Sequence, residues 1–144
     1  MMTCVTRCRG AGVAEFLLDT EIASRLMRAE RRALTGLRRS GAKSVSISSI
    51  TMAELLYGAR LRDDNPSVMA SVRAFLTRIS VHAWDEEAAE AHARIRVKAK
   101  RVERSAGAFN IMIAAHAEAL GATLVTSDAA VKNLKIEGLK IVSW

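Results

Sequence analysis

Residues 107–128, Gly-Ala-Phe-Asn-Ile-Met-Ile-Ala-Ala-His-Ala-Glu-Ala-Leu-Gly-Ala-Thr-Leu-Val-Thr-Ser-Asp, constrain the fold more than any other stretch of the chain. The part from 110 to 120 is dense in helix formers and low in charge, so its helix should be apolar all round and buried. Gly121 falls where a left-handed cap ends such a helix. Thr123-Leu-Val-Thr126 follows at once and reads as a short strand covered on both faces, as in parallel sheets. Polar side chains are confined to the ends of this unit: Asn110 where the helix opens, and Thr126, Ser127 and Asp128 where the strand closes. Open α/β sheets place their chemistry at the carboxyl ends of strands, which makes Asp128 a candidate. A helix cap or turn residue is the competing reading.

The same alternation recurs along the chain. Phe16-Leu-Leu-Asp19 is an apolar strand ending on a carboxylate. From Thr20 a helical period carries Ile22, Leu26, Met27, Ala33, Leu34 and Leu37 on one face, with six arginines between Arg25 and Arg39 on the other. Those arginines read first as a solvated face, and second as contacts for RNA phosphates or an acidic partner. Gly41 stops this helix, and Ser44-Val-Ser-Ile-Ser48 alternates as a strand with one covered face. Glu54 lies one turn into the next helix, where Thr51-Met-Ala-Glu54 also matches a capping box. Val68, Met69, Val72, Phe75, Leu76 and Ile79 mark a further helix, and Ile79-Ser-Val-His-Ala-Trp84 a further strand. A helix follows with an apolar stripe at Ala88, Ala89, His92, Ile95, Ala99 and Val102, and Leu139-Lys-Ile-Val-Ser-Trp144 closes the chain as a strand. Alternating strands and helices predict an α/β fold with a parallel sheet wrapped by helices.

At 144 residues the chain is the size of one domain, expected over residues 15–144. Residues 1–14 carry no periodic signal and are expected to be a poorly ordered extension. No apolar run is long enough to span a bilayer and no signal peptide is evident, so a cytoplasmic protein without a membrane partner is expected. Cys4 and Cys8 lack a Cys/His cluster and read as free thiols rather than a zinc site or disulfide. The net charge of +7 implies attraction to polyanions, of which nucleic acid is the commonest in a cytoplasm. His92 and His116 read as packed histidines, because no serine or cysteine nucleophile has a matching context.

In a parallel sheet, Asp19 and Asp128 stand at strand ends, Glu54 early in the helix after the second strand, and Asn110 at the start of the buried helix. All four can reach one rim. Carboxylates about 4 Å apart repel by roughly 4 kcal/mol at an effective dielectric near 20. A cation or shared proton must offset that, and Mg²⁺ or Mn²⁺ suits hard oxygen ligands. A cation so held activates water and clamps a phosphodiester oxygen, which with the basic surface points to a metal-dependent nuclease.

Leu17-Leu-Asp-Thr20, Ser48-Ser-Ile-Thr-Met-Ala-Glu54, Ile113-Ala-Ala-His-Ala117, Gly121-Ala-Thr-Leu-Val-Thr126 and Gly138-Leu-Lys-Ile-Val-Ser-Trp144 together resemble the PIN-domain ribonucleases, above all the VapC-type toxins of bacterial toxin–antitoxin pairs. The resemblance runs from about Phe16 to Trp144 in order and spacing. It implies a PIN-like three-layer α/β/α fold, Mg²⁺- or Mn²⁺-dependent endoribonuclease activity, an RNA substrate, a VapB-type antitoxin partner and a homodimer. Its acidic quartet maps onto Asp19, Glu54, Asn110 and Asp128, and makes Glu54 a metal-site residue rather than a cap. Two positions depart. The family usually has Asp where this chain has Asn110, and Asn where it has Glu21. A neutral amide binds Mg²⁺ less well than a carboxylate, so the pattern also fits a catalytically impaired PIN module acting through RNA binding or its antitoxin complex. A phosphorylation-dependent receiver domain also puts acids at strand ends, but no Asp follows the strand at 44–48.

Overall fold

The computed structural model describes residues 15–100 and 106–144. The expected extension over 1–14, with Cys4 and Cys8, lies outside the described residues, as do Arg101, Val102 and Arg104. The elements run β1 (Phe16–Leu18), α1 (Thr20–Met27), α2 (Arg31–Ser40), β2 (Val45–Ser48), α3 (Ser49–Arg60), α4 (Pro66–Arg78), β3 (Ser80–His82), α5 (Glu86–Ala99), α6 (Ala108–Leu120), β4 (Thr123–Val125), α7 (Ala129–Asn133) and β5 (Ile141–Val142). The strands form one parallel sheet in the order β3-β2-β1-β4-β5.

Successive side chains of a strand point to opposite faces, and β1 shows both faces covered. Leu17 joins a core with Leu124, Ile111, Ile113, Ile95 and Val131, beneath α5, α6 and α7. Leu18 joins another with Ile47, Val125, Ile22, Leu55 and Val72, beneath α1, α3 and α4. The sheet is thus the middle of three layers, as expected of a PIN-like α/β/α fold. β1 lies at its centre, with Leu18 in register with Ile47 on one side and Val125 on the other. From β1 the chain builds outward to β2 and β3, then returns to add β4 and β5 on the opposite side. The order therefore reverses between β1 and β4, and a crevice opens at their carboxyl ends.

The buried helix takes its expected place as α6, with Ile111 and residues 113–117 buried and Gly121 closing it at φ 66°. Elsewhere local structure departs from the periodic pattern. The single helix expected from Thr20 to the Gly41 stop is two, because the chain turns at Ala29 with φ 55°. β2 is covered on both faces rather than one: Ser46, Ile47 and Ser48 are all buried, since α3 and α6 close over opposite sides. The buried stripe of α5 is Ala88, Ala91, Ile95 and Ala99, which keeps a 3.6-residue period, whereas Ala89 is exposed and His92 half-buried. Ser48 caps α3 by accepting from the Ile50 amide at 3.1 Å. Thr51 therefore lies inside the helix, and no Thr51–Glu54 capping box forms. Gly107, not Asn110, caps α6, which places Asn110 at its third residue.

Candidate active site

Asp19 leaves β1 directly into the crevice. Its backbone N–H donates to the Val125 carbonyl at 3.0 Å, locking β1 to β4 at the rim. Its Oδ1 accepts from the Ile22 amide at 2.8 Å, so the same carboxylate caps α1 and faces the crevice. The residue is 5% exposed. Burial pushes its carboxyl above the ordinary value of 3.8, hydrogen bonds from Thr126 and the Ile22 amide pull it down, and the charges of Glu21 and Asp128 add to the rise.

Asp128 follows β4 and enters α7. Its Oδ1 accepts from the Ala130 amide at 2.8 Å, the cap that its spacing allowed. Its Oδ2 accepts from Asn110 Nδ2 at 2.9 Å. Between the two aspartates stands Thr126, 1% exposed, whose hydroxyl accepts from the Asp128 N–H at 3.0 Å and donates to the Asp19 carboxylate. One hydroxyl thus holds both acids. Sequence reasoning noticed Thr126 only as a polar strand end; the signal was a threonine at the last position of a strand otherwise apolar.

The rim brings together Asp19, Asp128 and Asn110, and places Glu54 at one remove. Glu54 Oε2 accepts from the hydroxyl of Thr20, the residue next to Asp19, and that hydroxyl lies 3.3 Å from Thr51 Oγ1. Glu21 is the acid that sequence reasoning did not place here. It accepts from Ser127 Oγ at 3.2 Å and pairs with Arg25. Among the described residues, no three His, Cys, Asp or Glu side chains are gathered closely enough to hold a metal by themselves. A divalent ion that keeps its waters does not require three, because Mg²⁺ binds through one or two carboxylates. The carboxylate oxygens of Asp19 and Asp128 at the rim are the ligand chemistry that a hard cation selects.

The PIN-domain family model matches residues 16–137. The chain belongs to the PIN-domain family. Its relatives lie on the VapC ribonuclease branch. It is 30% identical to a tRNA(fMet)-specific endonuclease VapC of Shigella flexneri, over 90% of this chain and 98% of that protein. Among solved structures it resembles DNA-bound VapBC from Salmonella typhimurium, with TM-score 0.78 and 29% identity over 91% of this chain and 98% of that one. VapBC-1 of nontypeable Haemophilus influenzae superposes with TM-score 0.75 at 26% identity, over 90% of this chain and 97% of that one.

The histidines of this PIN domain sit away from the rim. His116 Nδ1 lies 2.9 Å from Ser48 Oγ, tying α6 to the junction of β2 and α3. Its pKa is lowered to about 4, chiefly by burial and also by His82, with Asp85 opposing. His92 packs edge-on against Trp84 with ring centroids 5.7 Å apart. Both fit packing roles. No described helix is long and apolar enough to cross a membrane.

Proposed function

We propose that this PIN domain, residues 15–144 acting as one unit, is the toxin of a VapBC-type pair and hydrolyses RNA phosphodiester bonds with Mg²⁺ or Mn²⁺ at the Asp19–Asp128 rim. The observation that carries the reading is the pair itself: two acids at the sheet's reversal point, held by one threonine and flanked by Asn110. Asp19 and Asp128 would hold the cation, with Asn110 beside Asp128 and Glu54 reaching the rim through Thr20. When bound, the cation supplies an acidified water and charge stabilisation at a phosphodiester oxygen. The chain's own residues do the rest. Thr126 and the Ile22 amide keep Asp19 oriented and offset the cost of its ionised form. Burial at the strand ends limits the water around the acids, so their charges act at lower effective dielectric. Asn110 holds Asp128 by donating to the oxygen that the α7 cap leaves free.

The partner reading is a cognate VapB-type antitoxin, in a cytoplasmic complex of homodimeric toxin. On α3, Leu55 is buried in the core, whereas Tyr57 is 65% exposed and open to that partner. Between α1, α3 and α4 lies a groove of about 440 Å³ lined by Met27, Arg28, Gly58, Arg62 and Val68, with the basic rim an acidic amphipathic tail requires.

The competing reading, a binding module with impaired chemistry, is favoured by the neutral amide of Asn110. Metal separates the two. Calorimetric titration of Mg²⁺ or Mn²⁺ into the parent and into Asp19→Ala should show binding lost in the variant. An RNase assay on total RNA and on initiator tRNA, the target in the names of two relatives, should show cleavage abolished by EDTA. Equal metal affinity in both proteins would remove the site assignment, and RNA binding without metal-dependent cleavage would favour the module.

A further inference from the structure

A second surface carries a chemistry that the rim does not use. Between α2 and the edge strand β5 lies a cleft of about 890 Å³. Its cations are Arg31, Arg32, Arg39 and Lys140, all exposed, and none is ion-paired among the described residues. Its one acidic side chain, Glu30, lies 4.0 Å from Arg25 on α1 and is drawn toward that partner. Thr35, Ser40 and Ser143 add hydroxyls. Arg32 and Arg39 are seven residues apart on one face of α2, about 10 Å along the helix axis, and Lys140, the residue before β5, lines the same cleft. The floor is closed. Trp144 is 6% exposed, stacked near Phe16 with ring centroids 5.6 Å apart, and seated on Gly36 so tightly that a Cβ there would lie 2.3 Å from its own.

We propose that this cleft is a second contact surface for substrate RNA, gripping phosphates of the single strand that passes through the rim. The proposal rests on the RNA-cleavage reading. Two observations favour RNA over an acidic polypeptide. The largest aromatic of the floor is already packed away and is not open to anchor a peptide side chain, which leaves the four exposed cations as the cleft's recognition groups. The cleft also joins the rim directly: Ser143 Oγ donates to the Thr126 carbonyl at 2.7 Å, and the Thr126 hydroxyl holds Asp19 and Asp128. Ser143 stands level with Thr126, and Lys140 lies three residues back, its carbonyl accepting from the Leu124 amide at 2.9 Å, so a strand leaving the aspartates on that side runs along the cleft toward Lys140 at its far end.

The test uses the full chain in EDTA, where cleavage stops, and a short fluorescein-labelled single-stranded RNA of mixed sequence read by anisotropy across a KCl series. Arg32→Ala, Arg39→Ala and Lys140→Ala together should make the slope of log affinity against log salt shallower by about 2, at about 0.7 per lost phosphate contact. Arg73→Ala, an exposed arginine on α4, should leave the slope unchanged. With Mg²⁺, the triple variant should raise KM and leave kcat near the parent value. A slope and KM equal to the parent's, with cleavage retained, would overturn the cleft while leaving the rim intact. Polyglutamate binding that disappears in the triple variant while RNA binding persists would also overturn it, and assign the cleft to an acidic polypeptide. No RNA binding by the parent even at low salt would instead overturn the RNA reading on which the cleft depends.

Discussion

Asn110 reaches across the rim to Asp128, its Nδ2 2.9 Å from Oδ2, so the third polar group of the site approaches as a hydrogen-bond donor and not as a negative charge. Replacing it with Asp exchanges attraction for repulsion. A hydrogen bond to a charged group contributes about 1.5–3 kcal/mol, so Asn110→Asp without divalent cation should destabilise the fold by about 2 kcal/mol, or about 6 °C in Tm. With Mg²⁺ present the new carboxylate becomes a ligand. The stabilisation produced by metal should then exceed that of the parent, and RNA cleavage should rise with it. Gly107 rather than Asn110 caps α6, so the exchange does not act through the helix start. Melts and RNase assays with and without Mg²⁺ check this; an unchanged metal response would take Asn110 out of the site.

Thr126 gives a prediction about orientation. Thr126→Val removes the donor to Asp19 and leaves the Asp128 N–H without its acceptor. Leaving that partly buried amide unpaired should cost about 1 kcal/mol. Metal affinity should fall about 10–100-fold, the usual effect of losing a group that orients a ligand. The pH dependence should move as well. Asp19 already has a raised carboxyl, so its proton is held more tightly in the folded than in the unfolded chain, and metal binding weakens as pH falls through that raised value. Thr126 opposes the rise, so its loss should shift the acid limb of metal binding to higher pH. A calorimetric pH series checks it, and an unmoved limb with intact affinity would show that Thr126 does not act on Asp19.

The parallel sheet, the buried α6 and the strand-end positions of Asp19 and Asp128 were legible because each rests on local pattern: apolar runs, a glycine stop and a polar residue at the boundary. What escaped was set by contacts between distant segments. The Ala29 turn has no glycine to announce it. Glu54 matched a capping box by spacing, yet Ser48 caps α3 because β2 ends there, and Glu54 turns instead to Thr20, 34 residues away. Asn110 looked like a helix opener until Gly107 took that place, freeing its amide for Asp128. Glu21 comes to the rim through Ser127, 106 residues distant, which no periodicity reports.

Gly36 is required by packing rather than by conformation. A Cβ at this position would lie 2.3 Å from Trp144 Cβ and 2.8 Å from its Cα, a clash with backbone that no rotamer change relieves. Gly36→Ala should therefore push Trp144 off Phe16 and destabilise by about 1–3 kcal/mol, despite the helix propensity that alanine adds. Thermal melts and tryptophan fluorescence check it: Tm should fall and emission shift to the red. A stabilised variant with unchanged emission would show that α2 and β5 separate freely.

His116 makes stability depend on pH in a defined window. Its pKa is about 4 in the folded protein against 6.5 for an ordinary histidine, because burial and His82 disfavour the charged ring. Above pH 6.5 the ring is neutral in both states and contributes no slope. Between 6.5 and 4 the unfolded chain binds a proton that the folded one refuses, so stability falls as pH falls, levelling below 4. The shift corresponds to about 3 kcal/mol over the whole window, with about 2 kcal/mol already lost by pH 5. Tm at pH 5 should therefore be about 6 °C below that at pH 7.5 on this account alone. In His116→Gln the side chain keeps a polar partner for Ser48 but does not titrate, so whatever it costs at neutral pH, its melts should decline less steeply with acid. Parallel slopes for parent and variant would mean that His116 is protonated as readily inside the fold as outside it.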